Sequence, residues 1–194
     1  MIVVLSDTHS RSGHELEGRA REAVEEADAV VHAGDFLNED ALDAFEEVSD
    51  RLYAVYGNNA TPEIRDRLPP ERTFEIEGIR FVLTHGDDRG ATGLSLLGRQ
   101  QAADVVAFGH SHRHAVSEGE DVLLLNPGSH ARPRGGLPTH AELRPVEETD
   151  GDGGVPADGS GGGKTNGGGE EADGRLAGEI RHRDGSVVEA FEIR

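Results

Sequence analysis

The chain opens on five consecutive apolar residues, Met1-Ile2-Val3-Val4-Leu5, and short apolar runs of this kind recur along its first two-thirds. An unbroken apolar run of this length, bounded by turn residues, marks a strand buried on both faces. The pattern predicts strands at Met1–Leu5, Ala29–His32, Leu52–Tyr56, Arg72–Ile76, Arg80–Thr84, Asp104–Phe108 and Val122–Leu125. Between some of them the apolar spacing changes from two residues to three or four. Leu16, Ala20, Ala23, Val24 and Ala27 predict a helix over Gly13–Ala27. Ala41, Leu42, Ala44, Phe45 and Val48 predict a second over Glu39–Val48, and a third is expected over Leu94–Ala103. Strands alternating with helices point to an α/β domain, in which ligands lie beyond the carboxyl ends of the strands.

The last third reads differently. Ala141–Arg144, Leu176–Arg183 and Val187–Ile193 have the composition of antiparallel strands, the last two joined by a hairpin at Asp184-Gly185. Thr149–Gly174 lies between the first two, holds eleven of the 27 glycines and has almost no apolar residue. Such a segment cannot offset its ordering entropy by burial, so a disordered surface insertion at 149–174 is expected. Its typical span of roughly 25–30 Å is enough to join neighbouring strands.

Composition narrows the picture. At 194 residues one domain with a substantial core is expected, and at 35% apolar and 4% aromatic that core is built from Val, Leu, Ile and Ala. The absence of cysteine excludes disulfides, thiolate-bound zinc and a cysteine nucleophile. No apolar run approaches the roughly 18 residues of a membrane span, and the N-terminus lacks the basic flank of a signal peptide. No membrane association and a cytoplasmic location are expected. The net charge is −19, and the only lysine is Lys164. An acidic, lysine-poor surface suits high intracellular salt, which screens its self-repulsion. Codon bias in a GC-rich genome is the ordinary alternative. Either way the surface is a poor match for a nucleic-acid duplex.

The chemistry is concentrated at the predicted strand ends. Asp7-Thr8-His9, Gly34-Asp35, Gly57-Asn58, His85-Gly86 and Gly109-His110-Ser111-His112 each stand where a strand stops. Carboxylate, carboxamide and imidazole together suit hard or borderline divalent ions such as Mn, Fe, Co, Ni, Zn or Mg. The adjacent glycines allow a sharp turn and close approach. Singly, each motif is an ordinary loop; five in one order at five strand ends are not.

This ordered set resembles the signature of the calcineurin-like metallophosphoesterases. The Asn126-Pro127-Gly128-Ser129 loop and the closing strands are similar to the small YfcE-like phosphodiesterase branch. The resemblance covers about residues 1–146 and 175–194. It implies a single-domain four-layer αββα sandwich, two mixed β-sheets flanked by helices, with a binuclear metal centre at one edge. Carried over motif by motif, Asp7, His9 and His112 hold one ion, and Asn58, His85 and His110 hold the other. Asp35 bridges them. The implied cofactors are two divalent ions, manganese foremost. The implied reaction is hydrolysis of a small phosphate ester, a diester before a monoester, by a bimetal-activated hydroxide. No protein nucleophile is required. Many relatives follow Gly-Asn with His-Asp, or with Cys-Asp in the small branch, whereas this chain has Asn59-Ala60. An acid for the leaving group is therefore missing there, and Asn59 is left as a substrate contact.

Arg134, with Arg132 and Arg11, is a candidate phosphate clamp, against the ordinary role of solvated charges on an acidic surface. His32 is expected to be a buried, hydrogen-bonded imidazole. His114 and His130 flank motifs, with loop exposure the expected state, and His14, His140 and His182 belong to no motif. A contrasting reading is a non-catalytic interaction module, since the retromer scaffold subunit has a fold of this kind. The complete ligand set favours the enzyme. Homo-oligomerisation is left open.

Overall fold

A computed structural model describes residues 1–119, 121–134, 136–146 and 174–194. The expected insertion therefore lies, except for Gly174, outside the described residues. Two mixed sheets lie face to face. The first contains β1 (Ile2–Leu5), β2 (Ala29–His32) and β3 (Leu52–Ala54), all parallel. It is extended beyond β1 by the antiparallel strands β9 (Thr139–Pro145), β10 (Leu176–His182) and β11 (Val187–Ile193). The second runs β4-β5-β6-β8-β7. Its centre, β5 (Ile79–Thr84), β6 (Val105–Ala107) and β8 (Leu123–Pro127), is parallel, and β4 (Glu71–Ile76) and β7 (His114–Glu118) close its edges antiparallel.

The two-residue period of a strand distributes side chains between layers. Ile2 and Val4 face the inter-sheet core with Phe81, Leu83 and Leu125, whereas Val3 and Leu5 face outward under α1 (Arg19–Glu26) and α2 (Glu39–Val48). In the second sheet Val82 and Val106 face outward against α4 (Ala91–Gln100). A short α3 (Pro62–Arg67) begins with Thr61 as N-cap and Pro62 in its first turn. The chain thus folds as four layers, helix, sheet, sheet, helix, as expected.

Several boundaries depart from expectation; the third expected helix, α4, runs over Ala91–Gln100, three residues earlier at each end than the expected Leu94–Ala103. The first helix starts at Arg19, not Gly13. Gly18 has φ 58°, and Arg19 N–H donates to the Arg183 carbonyl at 2.8 Å, so the preceding loop is held against the β10–β11 hairpin. Strand β7 and helix α3 were not anticipated. β7 is an edge strand with mostly exposed side chains, and α3 is under two turns long, so neither carries a strong apolar period. No helix of the described residues is long and apolar enough to cross a membrane.

Candidate metal centre

The parallel strands β1, β2, β3, β5 and β6 all end on one edge of the sandwich, and each delivers its motif there. The turns that do this are strained. Among the described residues, eight non-glycine residues have positive φ, and five of them are Asp7 (52°), His9 (48°), Asp35 (66°), His110 (65°) and His112 (59°). The left-handed region costs an L-residue about 1–3 kcal/mol, a strain that collects at functional sites. Two glycines are required by close approach. A Cβ at Gly57 would run into Asp35 Oδ1, and one at Gly109 into Ser6 Oγ.

Asp7, His9, Asp35 and His112 are all buried and bring one ligand atom each within 4.8 Å of one another. His9 Nε2 stands 3.2 Å from His112 Nε2 and 3.5 Å from Asp35 Oδ2; His112 Nε2 stands 3.3 Å from Asp7 Oδ1. The other predicted residues collect around Asn58. Its Oδ1 lies 3.0 Å from His85 Nε2 and 3.1 Å from His110 Nδ1, and His85 Nε2 is 3.5 Å from Asp35 Oδ1. Asp35 therefore turns one oxygen toward each group. All seven predicted positions converge.

The protonation geometry fits a cation. His85 Nδ1–H donates to the Ala33 carbonyl and His112 Nδ1–H to the Arg132 carbonyl, both at 2.7 Å. In the neutral ring each then presents an Nε2 lone pair to the cluster. Those lone pairs face carboxylate, carboxamide and imidazole acceptors. Asp7 Oδ1 is buried without a hydrogen-bond donor, and Asp7 and Asp35 form no ion pair with Arg or Lys among the described residues. Burial holds the Asp7 carboxyl above its ordinary pKa, against the Ser6 hydroxyl and the His85 and His112 charges that lower it. Burial also holds the His9 ring below its ordinary value; Asp35 opposes this, while His112 and Arg132 reinforce it. Buried acceptors without donors are what a divalent ion satisfies, and the N/O donor set suits one.

Several residues support the cluster in roles that no motif discloses. Ser6 Oγ–H donates to Asp7 Oδ2 at 2.7 Å, and Ser129 Oγ–H to the Asp7 carbonyl at 2.7 Å. Asn126 Nδ2 donates to the Gly109 carbonyl at 2.8 Å. The Asn-Pro-Gly-Ser loop is thus a buttress for two of the ligand turns. Asn59 donates twice to Asp35, from its backbone N–H to Oδ1 (3.1 Å) and from Nδ2 to Oδ2 (2.7 Å). Its side chain is engaged with a predicted ligand, although the residue remains exposed beside the cleft.

Of the other histidines, His32 is buried as expected. Its Nδ1 accepts from Gly34 N–H and its Nε2 bonds Thr8 Oγ1, while burial lowers its pKa to about 3. His130 corrects an expectation. It is buried rather than exposed in a loop, and its Nε2 accepts from Glu17 N–H at 3.2 Å, because the loop over Ser10–Gly18 packs across it. His114 is half-buried on β7, beside Arg113 and Arg134. A cleft of about 560 Å³ opens over His9 and His112, and Arg11, Leu37, Asn59, Arg132, Pro133 and Arg134 complete its lining.

Comparison with known proteins agrees with this geometry. The family model described as the calcineurin-like phosphoesterase superfamily domain matches residues 1–148. A probable metallophosphoesterase of Methanocaldococcus jannaschii is 32% identical over 163 residues, covering 76% of this chain and 82% of that protein. The phosphodiesterase YfcE of Escherichia coli is 30% identical over 143 residues, covering 71% of this chain and 67% of that protein. The solved structure of YfcE superposes with a TM-score of 0.67 at 21% identity, covering 100% of this chain and 99% of that one. A zinc complex of Vps29 from Entamoeba histolytica gives a TM-score of 0.69 at 18% identity, covering 99% of this chain and 97% of that one. The structural matches speak to the fold alone.

Proposed function

This chain belongs to the calcineurin-like phosphoesterase superfamily and is a metal-dependent phosphoesterase; on that premise we propose that it hydrolyses phosphodiesters at a centre of two divalent ions. The observation that carries the reading is the pair of ligand groups turned toward opposite oxygens of Asp35. Asp7, His9 and His112 would hold one ion, Asn58, His85 and His110 the second, and Asp35 both. When bound, the ions supply an activated water and positive charge toward the phosphoryl oxygens. The protein's part is to orient. The Ala33 and Arg132 carbonyls fix two imidazoles with Nε2 inward, Ser6 and Ser129 fix Asp7, and Asn59 fixes Asp35. Each such support typically contributes 10- to 100-fold to metal affinity or activity.

A diester is the better substrate class for two reasons. The relative YfcE is named a phosphodiesterase. In addition, Asn59 and Ala60 offer no acid to a basic leaving group, and His130 is held away under Glu17. Esters with good leaving groups are therefore expected to react far faster than alkyl esters. We take manganese as the preferred ion from the thiolate-free donor set. The acidic, lysine-poor surface supports a cytoplasmic protein working at high salt. The likeness to Vps29 carries no argument for a scaffold beyond the shared fold.

The test is metal stoichiometry together with turnover of bis(p-nitrophenyl) phosphate. Chelated protein is expected to be inactive, and reloading with Mn is expected to restore turnover as content approaches two ions per chain. Asp35→Ala should lose both ions and all turnover. Full activity of metal-free protein, or two ions retained in the variant, contradicts the proposal.

A further inference from the structure

The protein carries a heavy excess of acid, and it uses most of its arginines to offset it. Of 18 arginines, ten form an ion pair with a carboxylate among the described residues. Three of the remaining eight, Arg11, Arg132 and Arg134, line the cleft that opens over His9 and His112. Their guanidinium groups are exposed and make no hydrogen bond among the described residues. Their backbones are the opposite, each tied to the site or its border. The Arg11 carbonyl accepts from Asn38 Nδ2 at 2.7 Å. The Arg132 carbonyl accepts from His112 Nδ1, and its N–H donates to Ser129 Oγ at 2.9 Å. Arg134 N–H donates to the His112 carbonyl at 3.1 Å. Fixed main chain with uncommitted side-chain cations is the arrangement of a site awaiting an anion. In a chain of net charge −19, solvated arginines with no carboxylate partner among the described residues otherwise have no reason to gather in one place.

One anion does not account for them. A phosphodiester carries a single negative charge, which two divalent ions at the predicted ligands would neutralise without the arginines. We infer that Arg11, Arg132 and Arg134 form a subsite for a second phosphoryl group on the substrate, so that the preferred esters carry a terminal phosphate beyond the scissile bond. This rests on the phosphodiesterase reading above. Guanidinium forks suit a phosphate's oxygens, two bonds at a time. The cleft's other lining residues, Leu37, Asn59 and Pro133, include no aromatic side chain on which a nucleobase could stack. The subsite therefore selects for the phosphate and tolerates the group that bears it.

The experiment compares two chromogenic esters that differ only in the second phosphate, thymidine 5′-(p-nitrophenyl phosphate) with and without a 3′-phosphate. Mn-loaded full-length chain is assayed at about 0.1 M and about 2 M KCl, where the screening length falls from ~10 Å to under ~3 Å. The 3′-phosphate is expected to lower KM by about 10- to 100-fold, the range of a charge-assisted contact, with little change in kcat. High salt should reduce that advantage. In R11A/R132A/R134A the ratio of kcat/KM between the two esters should fall toward one. Titration calorimetry with thymidine 3′,5′-bisphosphate and thymidine 5′-phosphate, on wild type and the triple variant, reads the same preference without turnover. Preferential binding of the bisphosphate that is lost in the variant, without hydrolysis of either ester, upholds the subsite and removes the enzymatic reading. Hydrolysis of both esters with equal KM does the reverse and overturns the subsite. A preference that survives in the triple variant also overturns it.

Discussion

Two buried carboxylates in this molecule have opposite surroundings. Asp7, at the end of β1, and Glu142, in the middle of β9, are both fully excluded from solvent. Glu142 brings its own counter-charges. Arg19 donates to both of its oxygens at 2.7 and 3.0 Å, Arg144 adds a bond at 2.6 Å, and His140 Nε2 lies at 3.2 Å. Burial alone would raise its pKa, but these donors outweigh it and hold the carboxyl far below the usual range. Asp7 has one serine hydroxyl, one oxygen with no donor and a raised pKa. A buried charge that the fold supplies with partners serves the fold; one left without them awaits a cation from outside. The backbone says the same, since Asp7 sits in the left-handed region whereas Glu142 lies in a regular ladder.

The sharpest way to break that comparison is to neutralise each carboxylate in turn. Asp7→Asn should abolish the rise in melting temperature on adding Mn and lower turnover by more than the ~100-fold typical of losing an outer hydrogen bond. The metal-free protein should be no less stable than wild type, because a buried charge without a donor has been removed. Glu142→Gln should do the opposite. It leaves Arg19 with only the exposed Glu22 and Glu26 and Arg144 with only Glu179, and breaking a buried pair costs about 3–5 kcal/mol. The lower end is expected because the Arg144 side chain is 44% exposed. The Mn-induced shift should persist. Equal loss of metal response in both variants would show that the two carboxylates are not separate in role.

The same contrast explains what could be read from the sequence. The second helix was legible to its bounds, Glu39–Val48, because five apolar positions repeat on or near one face; in the structure Asn38 also caps it, accepting from Ala41 N–H at 3.0 Å. The strand at Ala29–His32 and the closing strand at Val187–Ile193 were legible for their apolar and alternating runs. The seven candidate ligands were legible because a parallel sheet sends successive strand ends to one edge. Their supports were not. Ser129 reaches Asp7 across 122 residues, a contact set by how the two sheets stack, and Asn59 reaches Asp35 across 24, between the ends of the neighbouring strands β3 and β2; neither follows from a local pattern. The Glu142 network is hidden for the same reason, since an alternating strand predicts a side chain's face but not that an arginine from α1 will meet it.

Acid should separate the two regions further. The folded-state pKa of Glu142 is depressed, so its stabilisation is fully present above the unfolded value of about 4.3 and is lost as pH falls below it. The groups facing it are Arg19, Arg144, Arg181 and His140, and the three arginines stay charged throughout. Urea unfolding of chelated wild type and Glu142→Gln should therefore show a stability gap that is constant from neutral pH to about pH 5 and narrows below about pH 4. A gap unchanged at pH 3 would mean that the carboxylate contributes through shape and not charge.

The smallest expected effect falls on Asn59, which stands between the two regions in character: a neutral donor that serves a predicted ligand. It gives Asp35 one bond from its backbone and one from its side chain. Asn59→Ala keeps the first and removes the second. Loss of an outer-shell bond typically weakens a metal site 10- to 100-fold. The exposed position of Asn59 and the surviving backbone bond place the expected change near the lower figure, about tenfold in Mn affinity. Asn59→Asp preserves the shape but sets a second carboxylate against Asp35. In the metal-free protein that adds like-charge repulsion, and in the loaded protein the ions compensate it. The alanine variant should therefore bind Mn about tenfold more weakly at unchanged metal-free stability, whereas the aspartate variant should lose metal-free stability and recover it on Mn addition. Calorimetric titration and thermal melts with and without Mn measure both. If alanine leaves Mn affinity unchanged, the Asn59 side chain does not orient Asp35, and its place on the cleft wall would instead make it a substrate contact.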